Sequence, residues 1–157
     1  MTEPVCPFCR PDASRIFYDS ALVFGLWDAF AVSDGHALLV TKRHVADWFD
    51  TTAEERNALS EAILRAKVVV QQRHAPQGFN IGVNVGASAG QTIPHVHVHL
   101  IPRYSGDVPD PRGGVRHVIP AKGRRAARPR PARRACAVPC ACDEAARHTR
   151  RAAPSRG

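Results

Sequence analysis

Nowhere does the chain offer the run of eighteen or so apolar residues that a membrane-crossing helix needs. Its opening stretch, MTEPVCPFCRPDASR, has no apolar core of a secretory leader, so the expected location is the cytoplasm and no membrane partner is expected. There are only five cysteines, and in a reducing compartment these serve as thiols or metal ligands rather than as a disulfide framework. No internal repeat is visible, which excludes solenoid and propeller architectures. Residues 121–157 contain no Leu, Ile, Phe, Trp or Tyr, so that segment cannot bury enough apolar surface to offset the entropy of ordering.

Charge is distributed just as unevenly. The chain carries +8 overall, yet residues 1–120 hold 11 basic and 12 acidic side chains, and the other 11 basic and 2 acidic residues put +9 on residues 121–157. The expected organisation is therefore a nearly neutral domain over 1–120 and a disordered Arg/Ala/Pro-rich tail over 121–157. A basic arm binds nucleic acid or anionic lipid by counterion release, so nucleic-acid binding through the tail is one open reading. With no aromatic side chain, such an arm has nothing to stack on a base. Cys136, Cys140, Cys142 and His148 in the tail have metal-ligating chemistry, but a C-x3-C-x-C spacing in this composition points to no metal site.

Within 1–120 the pattern is of strands around one helix. RIFYDSALVFGLW reads as two short strands joined at Asp19 and Ser20, and GHALLVTKRH as a third after the turn-forming SDG. TTAEERNALSEAILRAKVVVQQRH has Thr-x-x-Glu capping signals and apolar Leu59, Ala62, Ile63, Ala66 and Val70 at the spacing of one helical face. Glu54, Glu55 and Glu61 are expected to form its solvated side, and His74 to meet the dipole at its end. Trp27 and Trp48 are expected in core or interface packing. GFNIGVNVG supplies a fourth strand, GASAGQTIP a loop, HVHVHLIPR a fifth strand, and GVRHVIP, with His117, a further short strand or extension. Local hairpins plus one long helix predict an α+β fold with an antiparallel sheet of about five strands.

HVHVHLIPR places His95, His97 and His99 at every second position of an apolar run, which puts them on one face of a strand. Alternate strand residues are roughly 6.6 Å apart, so His95 and His99 lie roughly 13 Å apart and the three cannot share one metal ion. They are expected to have separate tasks. An imidazole with its ordinary pKa of about 6.5 is largely neutral at neutral pH and is able to act as a nucleophile.

The HVHVHLI segment fits every position of the His-φ-His-φ-His-φ-φ signature, with φ apolar, and so resembles the histidine triad (HIT) superfamily. GQTIPHVHVHLIPR is similar to the branch containing dinucleoside polyphosphate hydrolases, and the likeness extends through CPFC, DGHALLVTKRH and VRHVIP over most of residues 4–119. The resemblance implies an α+β homodimer that binds a nucleotide and cleaves at its α-phosphate through a nucleotidyl-histidine intermediate. His97 takes the nucleophile's position, with His99 and His36 lining the site. Dinucleoside polyphosphates or nucleoside phosphoramidates are the implied substrates. Asn84, Gln91 and Thr92 fall where amide and hydroxyl donors meet phosphate, and Asp28 where relatives grip the ribose, an acceptor when ionised.

A Cys-x-x-Cys pair alone is a redox couple, half of a zinc site or an accident, and the chain lacks the βαβ setting of the first. The resemblance to bacterial-type zinc-containing members implies that Cys6 and Cys9 are completed by His44 and His95 into a structural zinc site. That would give His95 a task distinct from that of His97. A second reading within the same fold is a nucleotide-binding regulatory module whose catalysis is incidental.

Overall fold

The computed structural model describes residues 6–123. Five strands form one antiparallel sheet: β1 (Ile16–Asp19), β2 (Val23–Trp27), β3 (Ala37–Thr41), β4 (Gly78–Gly82) and β5 (His97–Arg103). Their order across the sheet is β1-β2-β3-β5-β4. The first three form a meander, and β5 returns to pair with β3 at Leu38↔His99 and Val40↔His97 before β4 joins its far side. The chain between β3 and β4 forms α1 (Ala53–His74), and a short α2 (Pro120–Gly123) follows at the end of the described residues. The fold is thus α+β as expected, while the basic segment past Gly123, with Cys136, Cys140, Cys142 and His148, lies outside the described residues.

Alternation along the strands divides the apolar residues between two faces. Val23, Leu39, Val98 and Leu100 turn toward α1 and meet Leu59, Ala62, Ala66 and Val70 in one buried cluster, with Ile63, Trp27 and Trp48 at its margin. Fully burying a side chain such as Leu39 or Leu59 stabilises the fold by about 2 kcal/mol. Phe24, Leu26, Leu38 and Val40 point the other way, and the N-terminal segment covers them with Phe8. His97 and His99 share this second face through their pairing with Val40 and Leu38.

Three local readings of the sequence are corrected. The fifth strand begins at His97 rather than His95, because the His95 and Val96 N–H groups bond to Ile93 and Val45 carbonyls instead of continuing the ladder. GVRHV forms a 3-10 turn over Gly114–Val118 rather than a strand. Gly113 (φ 99°) and Gly114 (φ 49°) adopt backbone angles that extended chain cannot hold. Glu55 is buried, not solvated, since its carboxylate accepts the N–H of Thr52 while the Thr52 hydroxyl accepts the N–H of Glu55, a reciprocal cap at the start of α1. At the other end α1 stops at Ala75, whose left-handed backbone (φ 48°) precedes Pro76.

Glu55 also accepts two bonds from the Arg43 guanidinium, at 2.8 and 2.7 Å, which tie α1 to the segment after β3 and hold this carboxyl below the usual range. Glu55→Ala should lower the free energy of unfolding by about 2 kcal/mol, combining the lost cap and the lost Arg43 bonds. Glu55→Gln should cost less, because its amide oxygen still caps. Chemical denaturation checks this, and an alanine variant within about 0.5 kcal/mol of the parent contradicts it.

Candidate functional site

The second face of the sheet carries a row of imidazoles. His44 and His95 meet edge to face with ring centroids 5.0 Å apart, His97 and His99 are 5.1 Å apart, and His36 and His99 are 5.2 Å apart. Phe8 inserts from the N-terminal segment between two of them, 5.8 Å from His95 and 5.0 Å from His97. Sequence reasoning missed Phe8, although its place inside Cys-Pro-Phe-Cys is the signal that ties it to the cysteines.

Each imidazole is fixed by a different bond. His95 is fully buried, and its Nε2–H donates to the Thr41 carbonyl at 2.7 Å, leaving the Nδ1 lone pair facing the cysteine sulfurs. That nitrogen lies 3.5 Å from Cys6 Sγ and 3.7 Å from Cys9 Sγ, and His44 Nδ1 lies 3.2 Å from Cys9 Sγ. All four donor atoms are within 4.8 Å of one another. A tetrahedral zinc ion with bonds of about 2.0–2.3 Å has donor-to-donor edges of roughly 3.3–3.8 Å, which these spacings match closely. The Cys6, Cys9, His44 and His95 set therefore has the donor chemistry and the separation for zinc.

His97 is fixed by the backbone of His95. Its Nδ1–H donates to the His95 carbonyl at 2.7 Å, which sets the tautomer and leaves the lone pair on Nε2. His99 is fixed from the other side, with Nδ1 3.0 Å from His36 Nε2. His36 Nδ1 in turn lies 3.2 Å from the Asp28 carboxylate, and the Val32 N–H reaches the same nitrogen at 3.3 Å. That nitrogen either gives a proton to Asp28 or accepts the Val32 N–H, and the choice decides which way the proton between His36 and His99 points. Asp28 also accepts the Phe30 N–H. It therefore orders the loop before β3 as well as the relay.

Burial sets the charge state of three of these imidazoles. Desolvation is the largest influence on His36, His95 and His99, and it lowers all three, with the neighbouring imidazoles adding to the effect on His95 and His99. His99 is lowered to about 4, only partly opposed by Asp28. At neutral pH these rings are uncharged hydrogen-bonding groups and lone-pair donors.

Beside His36 and His99 opens a cavity of about 560 Å³, with Asn84 on its wall and Asn80, Ile101 and Val115 further along. His97 does not line it. The expected phosphate loop differs in detail from the sequence reading. Gln91 accepts the Gly86 N–H at 2.8 Å and donates to the Ala46 and Ile93 carbonyls at 2.7 and 3.2 Å, so its amide pins the loop rather than facing a ligand. Thr92 is exposed at the end of that loop. Thus His36, His97, His99 and Asp28 come together, Asn84 borders their cavity, and Gln91 acts through the loop. Among the described residues, no helix is long and apolar enough to cross a membrane.

A family model described as HIT domain matches residues 11–106. The chain is 34% identical over 97 residues to the bis(5'-nucleosyl)-tetraphosphatase (asymmetrical) of Schizosaccharomyces pombe, an alignment covering 62% of this chain and 53% of that protein. It spans about half the length of the curated relatives it matches. Among solved structures, a HIT family protein from Bacillus anthracis superposes with a TM-score of 0.62 at 32% identity, over 68% of this chain and 78% of that one. A Zn-bound histidine triad family protein from Mycobacterium smegmatis gives 0.60 at 28% identity, over 68% and 84%.

The depressed His99 makes stability depend on pH in a definite direction. The unfolded chain takes up this proton below about pH 6.5 and the folded chain only near pH 4, so stability is full above 6.5 and is lost as pH falls toward 4. This histidine alone contributes about 3 kcal/mol to that loss, and His36 and His95 act in the same sense. Denaturation measured from pH 7.5 to 4 should show a shallower decline in His99→Gln than in the parent; parallel curves would contradict the assignment.

Proposed function

The chain belongs to the HIT family, and from that premise we propose that it is a nucleotide hydrolase or transferase cleaving at the α-phosphate, with dinucleoside polyphosphates or nucleoside phosphoramidates as substrates. The observation that carries this reading is the 2.7 Å bond from His97 Nδ1–H to the His95 carbonyl, which leaves Nε2 with its lone pair. The name of the fission-yeast relative, a bis(5'-nucleosyl)-tetraphosphatase, supports the substrate class.

His97 Nε2 attacks the α-phosphorus, forming a P–N bond as the bond to the leaving group breaks with its electron pair. The departing phosphate or amine takes a proton, which the His99–His36–Asp28 relay supplies or steers. Water then adds to phosphorus and returns a proton to the relay as the P–N bond breaks, so His97 regains its Nε2 lone pair and a nucleoside monophosphate is released. Asn84 and the Thr92 hydroxyl supply the polar contacts to the phosphate, and Gln91 keeps the loop in place. Asp28 is the acceptor for the ribose hydroxyls, and because it also faces His36, gripping the ribose changes what His36 Nδ1 is bonded to.

Cys6, Cys9, His44 and His95 would hold a structural zinc ion, and the zinc in the mycobacterial relative supports that reading. Such an ion adds folding free energy and takes no part in the transfer. The unpaired edge of β4, where Ile81 is exposed, is the surface on which a homodimer would form. The residues given roles in this mechanism lie between Cys6 and His99.

His97→Ala should reduce turnover by several orders of magnitude, the scale seen when a covalent nucleophile is removed, while leaving nucleotide binding largely intact. In the parent, rapid quenching without acid should trap an acid-labile nucleoside monophosphate adduct on the peptide containing His97. Comparable turnover in the variant, with no adduct in the parent, would overturn the mechanism. Reconstituted protein should contain one zinc per protomer, and Cys6→Ser or Cys9→Ser should lose it together with thermal stability. Metal analysis finding no stoichiometric zinc in the parent would exclude the site.

A further inference from the structure

The bond between His36 and His99 has two settings for its proton, and the turn that leads into β3 carries one of the two groups that decide between them. Burial lowers the proton affinity of both rings, so at neutral pH each holds a single hydrogen. If His36 Nδ1 gives its hydrogen to Asp28, 3.2 Å away, then Nε2 has a lone pair and accepts the hydrogen of His99 Nδ1. If Nδ1 instead accepts the Val32 N–H at 3.3 Å, then His36 Nε2–H donates to His99 Nδ1, and the hydrogen of His99 is on its own Nε2. A carboxylate is the stronger partner, so in an unconstrained loop Asp28 would prevail. The amide opposes it only where it cannot swing away, because a hydrogen on Nδ1 would then face the Val32 N–H with no acceptor between them.

The turn is fastened against that swing. The ladder between β3 and β5 ends at Ala37 opposite Leu100, and beyond it the Pro102 carbonyl accepts the Ser33 hydroxyl at 2.8 Å. Pro102 is fully buried and paired with Phe79 of β4, so this anchor belongs to the interior of the sheet. The next residue has a second anchor, since the Tyr104 hydroxyl donates to the Asp34 carbonyl at 2.8 Å. A third comes from the end of α1, where the His74 ring lies 2.7 Å from the place a Cβ on Gly35 would take. Gly35 has φ 79°, a backbone other residues resist, and the His36 N–H closes the turn on the Ser33 carbonyl at 3.1 Å. The Val32 side chain is 72% exposed, so the amide is held by these anchors rather than by packing of its own residue. Ser33 is the anchor next to it.

We propose that Ser33 is a positioning residue for His99: its bond to the Pro102 carbonyl keeps the Val32 N–H on His36 Nδ1 against the pull of Asp28, and so puts the hydrogen of His99 on Nε2. On a ring that borders the cavity, an Nε2–H is a preorganised donor for the leaving atom on which negative charge gathers as its bond to phosphorus breaks. That consequence rests on the nucleotidyl transfer proposed above, whereas the tautomer itself does not.

Nitrogen-15 NMR of the full chain with labelled histidines, at neutral pH, reads which ring nitrogen carries the hydrogen. In the parent the main form of His99 should have it on Nε2. In Ser33→Ala the ratio of Nε2–H to Nδ1–H should fall about threefold to tenfold, the range set by losing one ordinary hydrogen bond. Ser33→Thr, which keeps a hydroxyl, should restore it. Tyr104→Phe removes the outer anchor and should move the ratio the same way by less; it replaces the alanine variant if circular dichroism shows that one unfolded. With a dinucleoside polyphosphate, kcat should fall in Ser33→Ala by up to the same factor while KM stays near that of the parent, a split that loosened packing would not give. A parent with the hydrogen of His99 on Nδ1, or an unchanged ratio in the folded variants, overturns the inference. A shifted ratio in a protein whose parent turns over no nucleotide overturns the nucleotide reading and leaves the positioning of His99 standing.

Discussion

The antiparallel register between β3 and β5 is the constraint on which the site depends. With Val40 opposite His97 and Leu38 opposite His99, both histidines fall on the face away from α1, and their neighbours Val98 and Leu100 fall into the helix-side core. A slip of one residue would exchange these sets, burying imidazoles against α1 and exposing valine and leucine. The burial of Val98, Leu100, Leu39 and Ala37 therefore determines which way the histidines face. The same pairing brings His36, which immediately precedes β3, within hydrogen-bonding distance of His99.

That face then differs sharply along its length. Just before β5, His95 is buried under Phe8 with two sulfurs near its Nδ1, an arrangement suited to holding an ion and the N-terminal segment together. Further on, His99 and His36 border an open cavity and face a carboxylate. His97 lies between the two environments, oriented by the backbone of one and next to the ring of the other. Three residues of one type thus stand in three distinct environments, one facing sulfurs, one bonded to a backbone carbonyl and one to a second imidazole.

The strands, the helix face and the triad were legible because each has a short-range pattern: period two in HVHVH, period 3.6 from Leu59 to Val70, and a capping signal at Thr52. The Cys6, Cys9, His44 and His95 grouping came from likeness to a family, and the structure brings those donors together. What escaped was set by partners distant in sequence. Glu55 looks like a surface glutamate until Arg43 is placed beside it, and Gln91 looks like a phosphate donor until the Ala46 carbonyl takes its amide. Of the two readings of GVRHVIP, a short strand or an extension, its apolar residues suggest the strand, and two adjacent glycines with positive φ, Gly113 and Gly114, forbid it.

His95 contributes to the two halves of the site through different atoms. Its side chain faces the sulfurs, whereas its backbone carbonyl orients His97. Any amino acid provides that carbonyl, so only the first task places a demand on residue identity. A descendant could therefore trade the cysteines and this imidazole for another way of fastening its N-terminal segment and still inherit an oriented His97 ring. The grouping of the cysteine sulfurs and the orientation of His97 are in this sense heritable as separate traits, despite meeting in a single residue.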